Sequence, residues 1–107
     1  MRFLMTTKPS DTAADENLYT EMAAFVEELT ASGVLLATGG LEPGGLRLTS
    51  AGGEITVTDG PFTEAREVVA GFALVEVRSR EEALEVARRF RRIVGDGESV
   101  VQQVFGP

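Results

Sequence analysis

Apolar residues recur along this chain at two periods, and the switches between them mark its elements. Ile55 and Val57 alternate with Glu54, Thr56 and Thr58, and Leu46 and Leu48 alternate with Arg47 and Thr49. Period two is that of a half-buried strand. Ser50-Ala51-Gly52-Gly53 lies between the two runs, so the pattern predicts a β-hairpin with a glycine turn. Leu18, Met22, Phe25, Val26 and Leu29 instead follow i, i+4, i+7, i+8, i+11, which is one face of a helix over 13–31. Ser10-Asp11-Thr12 offers cap and turn chemistry before it, Asp15 and Glu16 suit its positive end, and Gly33 suits its stop.

The same reading extends to both ends of the chain. Arg2 to Thr7 reads as a strand closed by Pro9, which cannot donate to a ladder. Val34 to Thr38 is a short apolar strand, after which Gly39-Gly40 offers a bend or bulge. Gly71-Phe72-Ala73-Leu74-Val75-Glu76-Val77 is the strongest strand signal. Ser79 with Glu82 forms a capping box for a helix over 80–94, whose inner face carries Ala83, Val86, Ala87, Phe90 and Val94. Gly95-Asp96-Gly97 ends it, and 99–105 is a last strand.

The order is β-α-β, a hairpin, then β-α-β. Without the inserted hairpin this is βαββαβ, the ferredoxin-like α+β arrangement. Two helices cover one face of such a sheet. Phe72 and Leu74 point one way, and Ala73, Val75 and Val77 the other, so both faces of this strand are apolar. The expectation is that the helix-free face packs on a second subunit, as a homodimer.

Composition narrows the chemistry. At 107 residues the chain is one domain, 1–107, and it buries only about two thirds of its unfolded surface. With no cysteine and no histidine there are no thiolate nucleophiles, no imidazole acid–base groups and no Cys/His metal sites. Catalysis would fall to carboxylates, hydroxyls, Tyr19, Lys8 or arginines. No cofactor is implied. A net charge of −7 opposes nucleic acid and anionic membranes. No apolar run reaches the ~20 residues of a membrane span, and the N-terminus has no signal-peptide core, which points to the cytoplasm.

The stretch from Val57 to Val77, with Asp59-Gly60-Pro61-Phe62, the charged residues after it and the Gly71-Phe72 strand entry, resembles the signature of the YCII-related family in its DGPF subgroup. The resemblance covers nearly the whole chain. It implies a ferredoxin-like dimer whose two sheets face each other in an α/β-barrel-like assembly. Relatives include proposed enzymes using a His and an Asp in a cleft, one of them dehalogenating. DGPF members often lie beside genes for extracytoplasmic-function sigma factors, so a functional link to such a factor is implied. This chain departs from the pattern in lacking histidine, and in carrying Arg66 where Lys is usual, which keeps the charge but not the amine.

The candidate site residues are Asp59, Glu64, Arg66 and Glu67. Asp59-Gly60-Pro61-Phe62 is accounted for by turn chemistry, with Asp59 accepting from its own turn amides and Pro61 fixing φ. The functional reading places Asp59 at a strand end beside a cleft, holding a ligand or moving a proton. Glu64, Arg66 and Glu67 are either a solvated loop with weak ion pairs or a set that holds a polar ligand with Asp59. Arg88-Arg89-Phe90-Arg91-Arg92 suits a helix C-terminus, where cations are favoured, more than a phosphate site. Gly39-Gly40 and Gly44-Gly45 make no dinucleotide fingerprint.

Two function classes follow. One is a small-ligand-binding or regulatory module. The other is a cofactor-independent enzyme of lyase or isomerase type on a small aromatic or lactone-like substrate, with Asp59 and Glu67 as acid and base and Arg66 as oxyanion partner. An enclosed Asp59 favours the enzyme, and an open one the module.

Overall fold

Among the described residues the fold has six strands and two helices: β1 (Arg2–Thr7), α1 (Glu16–Ala31), β2 (Leu35–Gly40), β3 (Leu46–Ala51), β4 (Glu54–Asp59), β5 (Gly71–Glu76), α2 (Arg80–Val94) and β6 (Ser99–Val104). The computed structural model describes residues 1–8, 15–60 and 69–106. β2, β5, β1 and β6 lie in that order in one four-stranded sheet, with every neighbouring pair antiparallel. This order, with a helix after β1 and another after β5, fits the ferredoxin-like arrangement expected from the sequence.

The register fixes which side chains share a face. Phe3 lies opposite Val75, and Met5 lies opposite Ala73 on one side and Val101 on the other. These residues face the helices. Phe3 and Val75 are fully buried there, with Met5, Phe25, Leu29, Val77, Ala83, Val86 and Ala87 around them. Each fully buried side chain of this size stabilises the fold by about 1.5–3 kcal/mol. Leu4 lies opposite Leu74, and Thr6 lies between Phe72 and Val100, all on the helix-free side.

Both helices begin where a side chain meets an orphan amide. Asp15 accepts from the Leu18 amide at 2.8 Å, so α1 begins at Glu16 and not at the expected residue 13. Ser79 accepts from the Glu82 amide at 3.1 Å, while Glu82 reaches back to the Arg78 amide at 3.2 Å. The predicted capping box is present, with its return arm displaced by one residue. Gly33 and Gly95 terminate the helices at positive φ of 78° and 84°.

The expected irregularity in β2 lies elsewhere. The ladder shifts between Leu35 and Ala37, and the strand runs on through Gly39 and Gly40. Gly39 is needed for close packing: a Cβ there would sit 3.1 Å from the Phe72 ring.

β3 and β4 form a separate two-stranded sheet, turning at Gly52-Gly53. Every residue of both strands is exposed. The pair stands off from the rest, and the radius of gyration is 16.1 Å, against about 13 Å for a compact chain of this length.

Candidate functional site

The wedge between the two helices and the sheet is not closed. α1 contributes Met22, Phe25, Val26 and Leu29 to its walls, and α2 contributes Val86, Ala87 and Phe90. The sheet supplies Met5, Leu35, Ala73 and Val75. Between them lies a cavity of about 380 Å³. This is within the ~300–1,000 Å³ typical of small-molecule sites. Thr7 at the end of β1, Gly71 at the start of β5 and Ser99 at the start of β6 place the cavity at one end of the sandwich. The hydroxyl-bearing residues that line it from the helix side of the sheet are Thr7, Thr38 and Ser99. Thr38 is already engaged, donating to the Phe72 carbonyl at 2.9 Å.

The helices that frame the cavity are tied across their outer surface. Arg89 donates to Glu28 at 2.6 Å, and its guanidinium lies 4.8 Å from the centre of the Phe25 ring. This hydrogen bond, helped by the arginine's charge, holds the Glu28 carboxyl below the usual glutamate range, and Glu28 raises Arg89 in turn. Arg88 and Arg92 both pair with Glu85. The arginine run is thus mostly neutralised by its neighbours, in keeping with its reading as a helix surface.

Of the residues singled out in the sequence, Asp59 is the last residue of β4, opposite Leu46 and exposed. It shares a hairpin face with Leu46, Leu48, Ile55 and Val57 and is not among the residues lining the cavity. Its neighbour Gly60 donates from its amide to the Gly45 carbonyl at 2.8 Å, and a Cβ on Gly60 would crowd that same carbonyl. Pro61, Phe62, Glu64, Arg66 and Glu67 lie outside the described residues. Tyr19, expected at a helix edge, is 67% exposed, because it falls outside the stripe formed by Met22, Phe25 and Leu29. Among the described residues no polar or charged residue is buried, and no cluster of acidic side chains could hold a metal ion.

Nothing in the residue spacing announces the cavity. Periodicity tells which side chains face inward, not whether they meet. The one available signal is the small residues on inner faces: Ala73, Ala87 and Gly71 leave room that Met5, Met22 and Phe90 do not fill.

Comparison with known proteins bears on fold and family. One relative, an uncharacterised protein of Rhizobium meliloti (strain 1021), is 34% identical over 76 residues, covering 69% of this chain and 61% of that protein. The chain thus spans less than two thirds of that relative's length. Among solved structures, 5-chloro-2-hydroxyhydroquinone dehydrochlorinase (TftG) from Burkholderia phenoliruptrix AC1100, in complex with 2,5-dihydroxybenzoquinone, matches with a TM-score of 0.54. That match covers 100% of this chain and 96% of the other at 16% identity, and so speaks to the fold alone. No helix among the described residues is long and apolar enough to cross a membrane. The family model for the YCII-related domain matches residues 1–103, and the chain belongs to the YCII-related domain family.

Proposed function

We propose that this protein is a DGPF-type module that works as a homodimer and binds a small, largely apolar ligand in the wedge between helices and sheet. The observation that carries this reading is the cavity of about 380 Å³ with almost wholly apolar walls. Cores are ordinarily packed to a density that leaves few voids larger than a water molecule. A space this large, opening at one end of the sandwich, has the size and lining of a ligand site. The exposure of Asp59 favours a binding module over an acid–base enzyme centred on that residue.

The dimer rests on the helix-free face. Leu4, Phe72 and Leu74 are only half-buried there, and Val100 and Val104 are 39% and 43% exposed. The hairpin, read as an insertion in the ferredoxin-like frame, offers a second apolar face. A second copy would cover both, giving the barrel-like assembly that the resemblance implies. A regulatory role beside an extracytoplasmic-function sigma factor is the physiological setting consistent with a DGPF-type module.

The enzyme reading is favoured by one observation, the fold shared with a dehydrochlorinase. It would place acid–base chemistry on Asp59 and Glu67, with Arg66 stabilising the developing negative charge.

Two measurements test the leading reading. Sedimentation equilibrium at micromolar concentration is expected to give a dimer, and a monomer would contradict it. Titration with the neutral dye Nile red is expected to give a saturable, blue-shifted emission that Ala87→Leu weakens by narrowing the cavity. Emission that stays at the aqueous wavelength would contradict the ligand site.

A further inference from the structure

Three of the four arginines in the run 88–92 have glutamate partners, and Arg91 is the exception. The hydrogen bonds that its guanidinium donates to other described residues run to neutral acceptors. Nη1 donates to the Thr7 hydroxyl at 3.1 Å and to the Ser99 hydroxyl at 3.2 Å, and Nη2 donates to the Gly95 carbonyl at 2.7 Å. Thr7 and Ser99 face each other across the β1–β6 ladder, and both line the cavity. Phe90, next to Arg91 on α2, lines it too, with its ring 5.6 Å from the Arg91 guanidinium carbon. Gly97 has no side chain, and a Cβ there would run into Nη2. The guanidinium is thus held half-buried, one hydrogen bond away from the polar end of an apolar cavity, by hydrogen bonds to neutral oxygens.

From this arrangement we infer that the cavity selects an apolar carboxylate, a small aromatic or branched aliphatic acid whose hydrocarbon fills the wedge and whose carboxylate meets Arg91, Thr7 and Ser99. This rests on the ligand-binding reading above and adds the ligand's chemical class. Guanidinium offers five N–H donors, so a carboxylate can be met without giving up the bonds that position the side chain. The Ser99 hydroxyl can rotate to donate to the same anion, and the Thr7 hydroxyl can do so by giving up its 3.3 Å bond to the Glu98 carbonyl. Selection of an anion runs against the protein's overall field, since the chain carries a net charge of −7. Any preference for the acid must therefore come from a local cation.

The test is a matched series on the full chain at fixed ionic strength: 2-naphthoate, 2-naphthalenemethanol and 2-naphthylmethylammonium, titrated by calorimetry at neutral pH. The expected order is acid, then alcohol, then ammonium, with the acid about ten- to a hundredfold tighter than the alcohol. In Arg91→Met the acid should lose that advantage while the alcohol stays within about twofold. The order in the unmutated protein stands as a test even if Arg91→Met does not fold. An acid that binds no tighter than the alcohol, or an Arg91→Met protein that keeps full affinity for the acid, would overturn the assignment of ligand class and leave the cavity as a site for neutral molecules. Failure of all three compounds to bind would instead remove the ligand site itself, and this inference with it.

Discussion

The β1–β5 pair and the β3–β4 pair are built alike and end differently. Both are antiparallel, both join strands of six residues, and each sets apolar residues opposite one another on one face. In the first pair Phe3 and Val75 are opposite and fully buried. In the second, Leu48 and Val57 are opposite and exposed, and Leu46 and Ile55 on the same face are exposed too, all four at between 58% and 68%. Alternation makes a face, but the two described helices cover only one of the faces that the described strands make. A two-stranded ribbon alone is marginal in water. The exposed hairpin face and the helix-free sheet face therefore pose the same question, which a second subunit would answer.

The difference can be probed from both sides. Phe3→Ala should have the largest effect, a loss of about 3–5 kcal/mol in urea unfolding, because it empties a fully buried site. That approaches the ~5–15 kcal/mol of a whole domain. Leu48→Ser combined with Val57→Ser should leave the unfolding of the isolated subunit nearly unchanged and weaken self-association at least tenfold in sedimentation, or about 1.4 kcal/mol. Equal unfolding losses at both places would erase the contrast between them.

The covered side has a further division, between its packed and its open part. Ala87→Leu should be neutral or stabilising by up to about 1 kcal/mol in thermal unfolding, because it grows into the cavity. In a filled core the same change would cost about 1–3 kcal/mol. Glu28→Gln should have the smallest effect, since it removes an exposed ion pair. Folding holds the Glu28 carboxyl below its ordinary range, so its contribution is present above the unfolded glutamate value and is lost as pH falls through the folded one. Unfolding curves of the unmutated protein and Glu28→Gln should differ near neutrality and converge in acid.

Much of the fold was legible in the residues, for physical reasons. The α2 boundaries follow from Ser79, Glu82 and Gly95, which satisfy or end backbone hydrogen bonding locally. The β1 and β5 strands follow from short apolar runs, the first closed by Pro9 and the second entered at Gly71-Phe72. The start of α1 was less legible, because several residues in the sequence before it offer cap chemistry, and the cap of the described helix is Asp15. The role of Gly39 was hidden because it depends on the Phe72 ring from another strand. The candidate site was legible only in part. Asp59 stands out as a motif residue and lies on an exposed strand end, whereas the cavity and the bracing of Arg91 by Thr7 and Ser99 join residues 84 and 8 positions apart. Such contacts are set by how layers pack, and no local pattern encodes them.

Occupation of the wedge between helices and sheet by a ligand can be read directly from the three methionines. Met5 and Met22 line the cavity, and Met1 does not. In protein labelled with carbon-13 at the methionine methyls, addition of 2-naphthalenemethanol should shift the Met5 and Met22 signals saturably and leave Met1 in place. Unmoved Met5 and Met22 signals at saturating probe, or equal shifts in all three, would contradict it.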